Sequence, residues 1–190
     1  MSEGKSDKEI IFVTSNSHKF MEVEKMFHQE GLGIRWAHQE YEEVQADTTE
    51  EISLRSAINV SKEIKGKFFL DDTGLYIDSL SGFPGPYSSY VFRTIGNNGI
   101  LRLLENLDRR ATFTTVITYF DGNEFRQFRG DVKGKIAKNI SPGNGFGYDP
   151  IFLPGESDQT LAQIDTDQKN KVSHRGLAVK KLITYLKEIR

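Results

Sequence analysis

Residues 9–31 read "EIIFVTSNSHKFMEVEKMFHQEG". Ile10, Ile11, Phe12 and Val13 form an apolar run of the length expected of a short buried strand. A polar turn follows at once. From His18 the spacing is helical: Phe20, Val23 and Phe27 fall on one face, Glu22 and Glu24 point away, and Gly31 supplies a stop. Strand, turn and helix in one short stretch open an α/β fold.

Working outward, the chain keeps alternating. Residues 34–37 read as a second strand. Thr48 and Glu51 make a capping-box pair before a helix whose apolar side carries Leu54, Ala57, Ile58 and Ile64. "KFFL" (67–70) is a short buried strand that ends at the pair Asp71–Asp72. "GNNGILRLLENL" (96–107) is helical. "ATFTTVITYF" (111–120) has the Thr, Val, Ile and aromatic content of a strand, and Asp121-Gly122-Asn123 reads as a hairpin turn. "EFRQFRGDVKGKIA" (124–137) continues as strand, with glycines that suggest a bulge or bend. "IFLP" (151–154) is a short strand. From Ser173 the chain is helical to its end, with Ala178, Leu182, Tyr185 and Ile189 on one face. A mixed α/β sheet flanked by helices is expected.

The chain has 190 residues, which suits one domain spanning 1–190 with a flexible N-terminus over 1–8. It has no cysteine, so disulfides, zinc–thiolate sites and thiol nucleophiles are excluded. The formal charge of -2 gives no global basic field for nucleic acid. The polar N-terminus is no secretory signal, and no apolar stretch approaches a membrane span. A soluble, cytoplasmic protein is expected.

Five stretches could carry chemistry. "VTSNSHK" (13–19) is a polar turn at a helix start, either an ordinary N-cap turn or an anion site served by Asn16 and Lys19. Asp71 and Asp72 are either a solvated strand end or a metal or acid–base site, and strand alternation turns them to opposite faces. "EYEEV" (40–44) could add a carboxylate or be a solvated face. "GNGFGYDP" (143–150) offers close backbone approach, the rings of Phe146 and Tyr148, and the acceptor Asp149. "QKNKVSHRG" (168–176) places Ser173 as an N-cap and gathers Lys169, His174 and Arg175 at one helix start. That gathering does nothing for the helix itself and suits an anion such as a phosphate chain.

Taken in order, "TSNSHK", "YEEVQ", "DDTGLYIDSLSGFPGPYS", "FGYDPIF" and "KNKVSHRG" resemble the inosine triphosphate pyrophosphatase family over nearly the whole chain. The resemblance implies a two-lobed α/β fold with a long central mixed β-sheet, a substrate cleft between the lobes and a homodimer. It implies Mg²⁺-assisted hydrolysis of a non-standard purine nucleoside triphosphate (ITP, dITP or XTP) to monophosphate and pyrophosphate. A nucleotide-binding regulator without turnover, or a pyrophosphatase with another base preference, is the alternative.

By the same resemblance, Asp72 is metal ligand and catalytic base, and Glu43 is the second metal ligand. Thr14, Ser15, Asn16 and Lys19 hold the triphosphate, and Thr73 contacts substrate. Phe146, Gly147, Tyr148 and Asp149 hold base and sugar. Lys169, His174 and Arg175 contact phosphate and base, with His174 and Arg175 as donors to a 6-oxo group. Two positions depart from the family pattern: Ser15 stands where a glycine is usual, and Thr73 where a serine is commoner.

Overall fold

The computed structural model describes residues 10–39 and 45–189. The expected flexible N-terminus and the acidic run 40–44, including Glu43, lie outside the described residues.

The elements run β1 (Ile10–Val13), α1 (Ser17–Gln29), β2 (Ile34–Ala37), α2 (Thr49–Val60), β3 (Phe68–Ile77), β4 (Pro84–Gly85), α3 (Ser88–Thr94), α4 (Gly96–Leu103), β5 (Arg110–Phe120), β6 (Phe125–Ile136), β7 (Phe152–Pro154), α5 (Thr166–Val172) and α6 (His174–Glu188). The strands form one seven-stranded mixed sheet in the order β2-β1-β3-β5-β6-β7, with β4 added alongside β3. β1 runs parallel to β2 and β3, and the other pairings are antiparallel.

The sheet is buried on both faces. Phe12, Phe69, Ile117 and Tyr119 pack beneath Phe20, Val23 and Phe27 of α1 and Ala178, Val179 and Leu182 of α6. Ile11, Val13, Phe68 and Leu70 face the other way, onto Ala57 and Val60 of α2. The far halves of β3 and β5 close a third cluster with Val91 of α3 and Ile100 of α4. Adjacent strand residues thus feed opposite layers, as the pleat requires.

Three expectations about elements change. The strand begun by "KFFL" does not end at the aspartates. β3 pairs with β5 without a break from Phe68↔Phe120 to Ile77↔Ala111, so Asp71 and Asp72 sit in mid-strand. Ladder bonds are made by the backbone, and the Thr- and Val-rich β5 offers a partner along the whole length. On the opposite edge, β1 pairs with β3 only through Phe12↔Phe69, and β4 takes over at Leu75↔Gly85. Between those two points no described strand pairs with that edge of β3.

The buried face of α2 is Ile52, Ser53, Ser56, Ala57 and Val60, with Ile58 exposed and Leu54 at the margin. Serines lie inward because partners are there. Ser53 Oγ donates to Val116 O at 3.1 Å and shares a hydrogen bond with Thr118 Oγ1 at 2.7 Å. Thr48 caps α2 as expected, accepting from Glu51 N–H.

The glycines of β6 mark no bulge, since its register with β5 is continuous from Arg110↔Lys135 to Phe120↔Phe125. They mark close approach instead. A Cβ at Gly130 would lie 2.1 Å from His174 O and 2.6 Å from Ala178 N, so α6 crosses β6 with its backbone against the strand. At Gly134 a Cβ would lie 2.1 Å from Leu153 O of β7. Gly130→Ala should therefore force α6 off the sheet and cost about 1–3 kcal/mol, as overpacking does. Chemical denaturation reads this directly, and an unchanged midpoint would refute the close approach.

Candidate active site

The unpaired edge of β3 opens into a cavity of about 680 Å³. Thr14, Ser15, Asn16 and Lys19 line it from the β1–α1 turn, and Asp71, Asp72 and Thr73 from β3. Phe146, Gly147, Tyr148 and Asp149 enter from the glycine-rich loop, and His174 and Arg175 from the start of α6. Lys169 is buried just behind, on α5. Residues far apart in sequence thus meet where β1 leaves β3. Crevices of this kind, where neighbouring strands part, are common ligand sites in α/β sheets.

The β1–α1 turn is both a cap and a wall of the cavity. Asn16 Oδ1 accepts from the N–H groups of His18 (3.0 Å) and Lys19 (3.2 Å). Those two helix-start donors are therefore already satisfied. Ser15 is not among the non-glycine residues with positive φ, so the usual glycine is not needed here for its left-handed freedom.

The floor is a buried ion network. Asp71 accepts from Lys19 Nζ and from Arg175 Nε, each at 3.0 Å. Arg175 Nη1 also donates to Glu22 Oε2 at 2.9 Å, and Glu22 Oε1 accepts from Lys169 Nζ. Lys169 Nζ donates to Asp149 Oδ2 at 2.6 Å, and the same oxygen accepts from Phe146 N–H at 2.9 Å. Asp149 therefore clips its own loop as well as holding a lysine. Three cations, Lys19, Lys169 and Arg175, meet three carboxylates, Glu22, Asp71 and Asp149.

Burial pushes the Asp71 carboxyl up, but Lys19 and Arg175 outweigh it and hold it below its ordinary value of 3.8. Burial wins at Asp149, whose carboxyl is raised despite Lys169. His174 is held well below 6.5, first by burial and then by the neighbouring Arg175, Lys169 and Lys19. It is neutral at neutral pH.

Four sequence readings are corrected by this geometry. Glu22 does not point away from the fold. It is 7% exposed and bridges Lys169 to Arg175. It lies one turn after Lys19 on the same side of α1, and that i, i+3 spacing was the available signal. The gathered cations already serve the fold itself, because the protein's own carboxylates pair with Lys169 and Arg175, and burial keeps His174 uncharged. Lys169 is not at the start of α6 but one helix earlier. Tyr148 offers no free ring: its hydroxyl donates to Ser88 O at 2.9 Å, and Phe92 and Phe113 pack against it. Phe146 is half-buried, with the His18 ring stacked against it at 5.3 Å between centroids, Lys169 Nζ 4.6 Å from its ring centre and Arg175 Cζ at 5.4 Å.

The cavity also holds residues that sequence reading missed: Gln39, Ser88, Ser89, Phe92, Arg93 and Phe113. The "GFPGP" segment explains several of them. Tyr76↔Pro84 and Leu75↔Gly85 pair antiparallel, so the turn folds the chain back along β3. Ser88 Oγ then accepts from Leu75 N–H at 2.8 Å and donates to Gly85 O at 2.7 Å. That fixes the start of α3 beside the cavity. Arg93 Nη1 donates to Ser89 Oγ and makes no ion pair among the described residues.

Among the described residues no group of three or more His, Cys, Asp or Glu is arranged to hold a metal ion. The cavity's carboxylates are Asp71, Asp72 and Asp149, and two of them neutralise buried cations. A hard cation that keeps waters and takes phosphate oxygens needs only one or two carboxylates. Asp72, an oxygen donor at the open edge, fits that demand.

The crevice of this α/β sheet thus joins a charge-balanced polar floor, a half-buried phenyl ring and a capped helix start. The chain belongs to the Ham1 family, whose family model matches residues 10–185. It is 46% identical over 180 residues to a dITP/XTP pyrophosphatase of Thermococcus kodakarensis, covering 94% of this chain and 97% of that one. It is 42% identical to a dITP/XTP pyrophosphatase of Korarchaeum cryptofilum, covering 93% and 95%. The fold is similar to that of a HAM1 protein from Coxiella burnetii, with a TM-score of 0.82, 30% identity, and coverage of 95% of this chain and 98% of that one.

Asp71→Asn should leave Lys19 and Arg175 with a weakened partner and cost about 3–5 kcal/mol of stability. Because the folded-state pKa of Asp71 lies below 3.8, its contribution is present above that pH and lost as the pH falls through the folded value. The acid limb of a stability–pH curve should therefore be shallower in Asp71→Asn than in the wild type. Parallel curves would show that Asp71 carries no such linkage.

Proposed function

We propose that this chain hydrolyses non-standard purine nucleoside triphosphates, ITP, dITP and XTP, to the monophosphate and pyrophosphate. The observation that carries the reading is convergence: the β1–α1 turn, the aspartate pair, the glycine-rich loop and the residues His174 and Arg175 line one cavity. Relatives at 38–46% identity named dITP/XTP pyrophosphatase support the substrate class.

In this reading Phe146 stacks on the purine, and Arg175 and His174 face its 6-oxo edge. Lys19, Arg93 and the β1–α1 turn hold the phosphate chain. Asp72 orients a water and takes its proton as the water oxygen bonds to the α-phosphorus. The bond to the bridging oxygen breaks, and pyrophosphate leaves with that oxygen. Asp72, with Glu43 as second ligand, would hold Mg²⁺, which supplies charge neutralisation on the phosphate oxygens when bound. A cation held there would also offset the charge of the triphosphate. The buried lysines and arginine are already neutralised, so a triphosphate finds little net positive charge in the cavity beyond Arg93.

We read the gap at the edge of β3 as the cleft between two lobes of a single domain. A homodimer acting in the cytoplasm is part of the same proposal, and no described helix is long and apolar enough to cross a membrane.

ITP with Mg²⁺ should yield IMP and pyrophosphate in equal amounts, and stepwise orthophosphate would mean a phosphatase instead. Asp72→Asn should lower turnover by roughly a hundredfold or more with an unchanged unfolding midpoint. Near wild-type turnover in that variant would remove Asp72 from the chemistry. Nucleotide binding without any turnover in the wild type would favour the regulator.

A further inference from the structure

Behind the base-facing edge of the cavity runs a chain of hydroxyls. Arg175 Nη2 donates to Thr73 Oγ1 at 3.4 Å. Thr73 Oγ1 and Thr115 Oγ1 are 2.9 Å apart, and Thr115 Oγ1 lies 2.6 Å from His174 Nδ1. Thr115 is fully buried on β5, and the His174 ring lies over Phe113 with centroids 3.9 Å apart. The ring is thus held in place by packing on one side and by one hydroxyl at Nδ1. Its other nitrogen, Nε2, has no hydrogen-bond partner among the described residues, and His174 lines the cavity.

The protons in this chain can run in two directions. A guanidinium only donates, so Thr73 Oγ1 must accept from Arg175. If Thr73 then donates to Thr115, and Thr115 to His174 Nδ1, the ring proton sits on Nε2, facing the cavity. In the reverse direction Nδ1–H donates to Thr115 and Thr115 to Thr73, and the Thr73 proton is left with no acceptor among the described residues. Each direction thus leaves one proton facing the cavity, and only the first offers it from Nε2, where a 6-oxo group can accept it. We infer that Thr115 is a positioning residue for base selection: it locks His174 in the tautomer that carries its proton on Nε2, so that His174 can only donate to the purine edge. A 6-oxo group accepts from that proton. A 6-amino group leaves it unpaired. The inference rests on the proposed reaction for the choice between the two directions, and on the Arg175–Thr73–Thr115–His174 geometry for the chain that carries it.

The neutral ring is essential, since an imidazolium would donate from both nitrogens whatever Thr115 did. Burial and the adjacent cations keep it neutral.

The test has two arms. In protein labelled with nitrogen-15 at histidine, long-range proton–nitrogen correlation spectra read each ring's tautomer, and the His174 signals are assigned by their loss in His174→Gln. At neutral pH the wild type should show a bare, hydrogen-bonded Nδ1 and a protonated Nε2. A protonated Nδ1 overturns the inference, whatever the enzyme hydrolyses. In the second arm, kcat/KM is compared for ITP and ATP. Thr115→Val should lower the ITP-to-ATP ratio by about tenfold, and Thr115→Ser, which keeps the hydroxyl, should hold it at the wild-type level. A folded Thr115→Val with an unchanged ratio also overturns the inference. A wild type inactive on both nucleotides sinks the proposed reaction instead, and the nitrogen spectra still decide the tautomer.

Discussion

The buried contact of Asp71 with Lys19 and Arg175 organises the site. Through Glu22 and Lys169 it extends to Asp149, joining α1, β3, α5, α6 and the glycine-rich loop in one network. Such a network adds little net stability, because removing charges from water costs about as much as their attraction returns. What it imposes is geometry. An arginine held by two carboxylates has almost no orientational freedom, and its neighbours must come to it. Phe146 sits where it does because Asp149 is held by Lys169, and Lys169 because Glu22 turns inward.

Much of this was readable in the sequence, for identifiable reasons. β1, β2, α1 and α6 announce themselves by periodicity and caps, since a short buried strand and an amphipathic helix have few alternatives. The length of β3 was not readable. Two aspartates look like a strand end, and only the partner β5 reveals that the ladder runs through them. The inward serines of α2 were hidden likewise, because a polar residue turns inward only when a hydroxyl or carbonyl waits on another element. Glu22 was misplaced for the same reason. Helical spacing set it apart from Phe20, Val23 and Phe27, and the cations that draw it inward come from α5 and α6, far along the chain. The residues lining the cavity were found because motif blocks pointed to them, whereas α3's contribution depended on a fold-back that composition does not disclose.

The charge balance of the network has a bearing on specificity. A site with excess cations would attract any polyphosphate, including abundant ones. Here the positive groups are matched by carboxylates, so in the proposed reaction discrimination falls to directional contacts: a fixed guanidinium, a neutral imidazole and an aromatic face. Directional contacts distinguish bases, whereas bulk charge does not.

Ser173 joins the two halves of this arrangement. Its backbone N–H donates to Lys169 O at 2.8 Å, closing α5, while its hydroxyl accepts from Gly176 N–H at 3.1 Å, opening α6. Lys169, which braces the loop, and Arg175, which braces β3, are therefore mounted on either side of one pivot. The brace on the loop and the brace on β3 are in this way built on one joint, so the backbone of a single residue sets their relative placement.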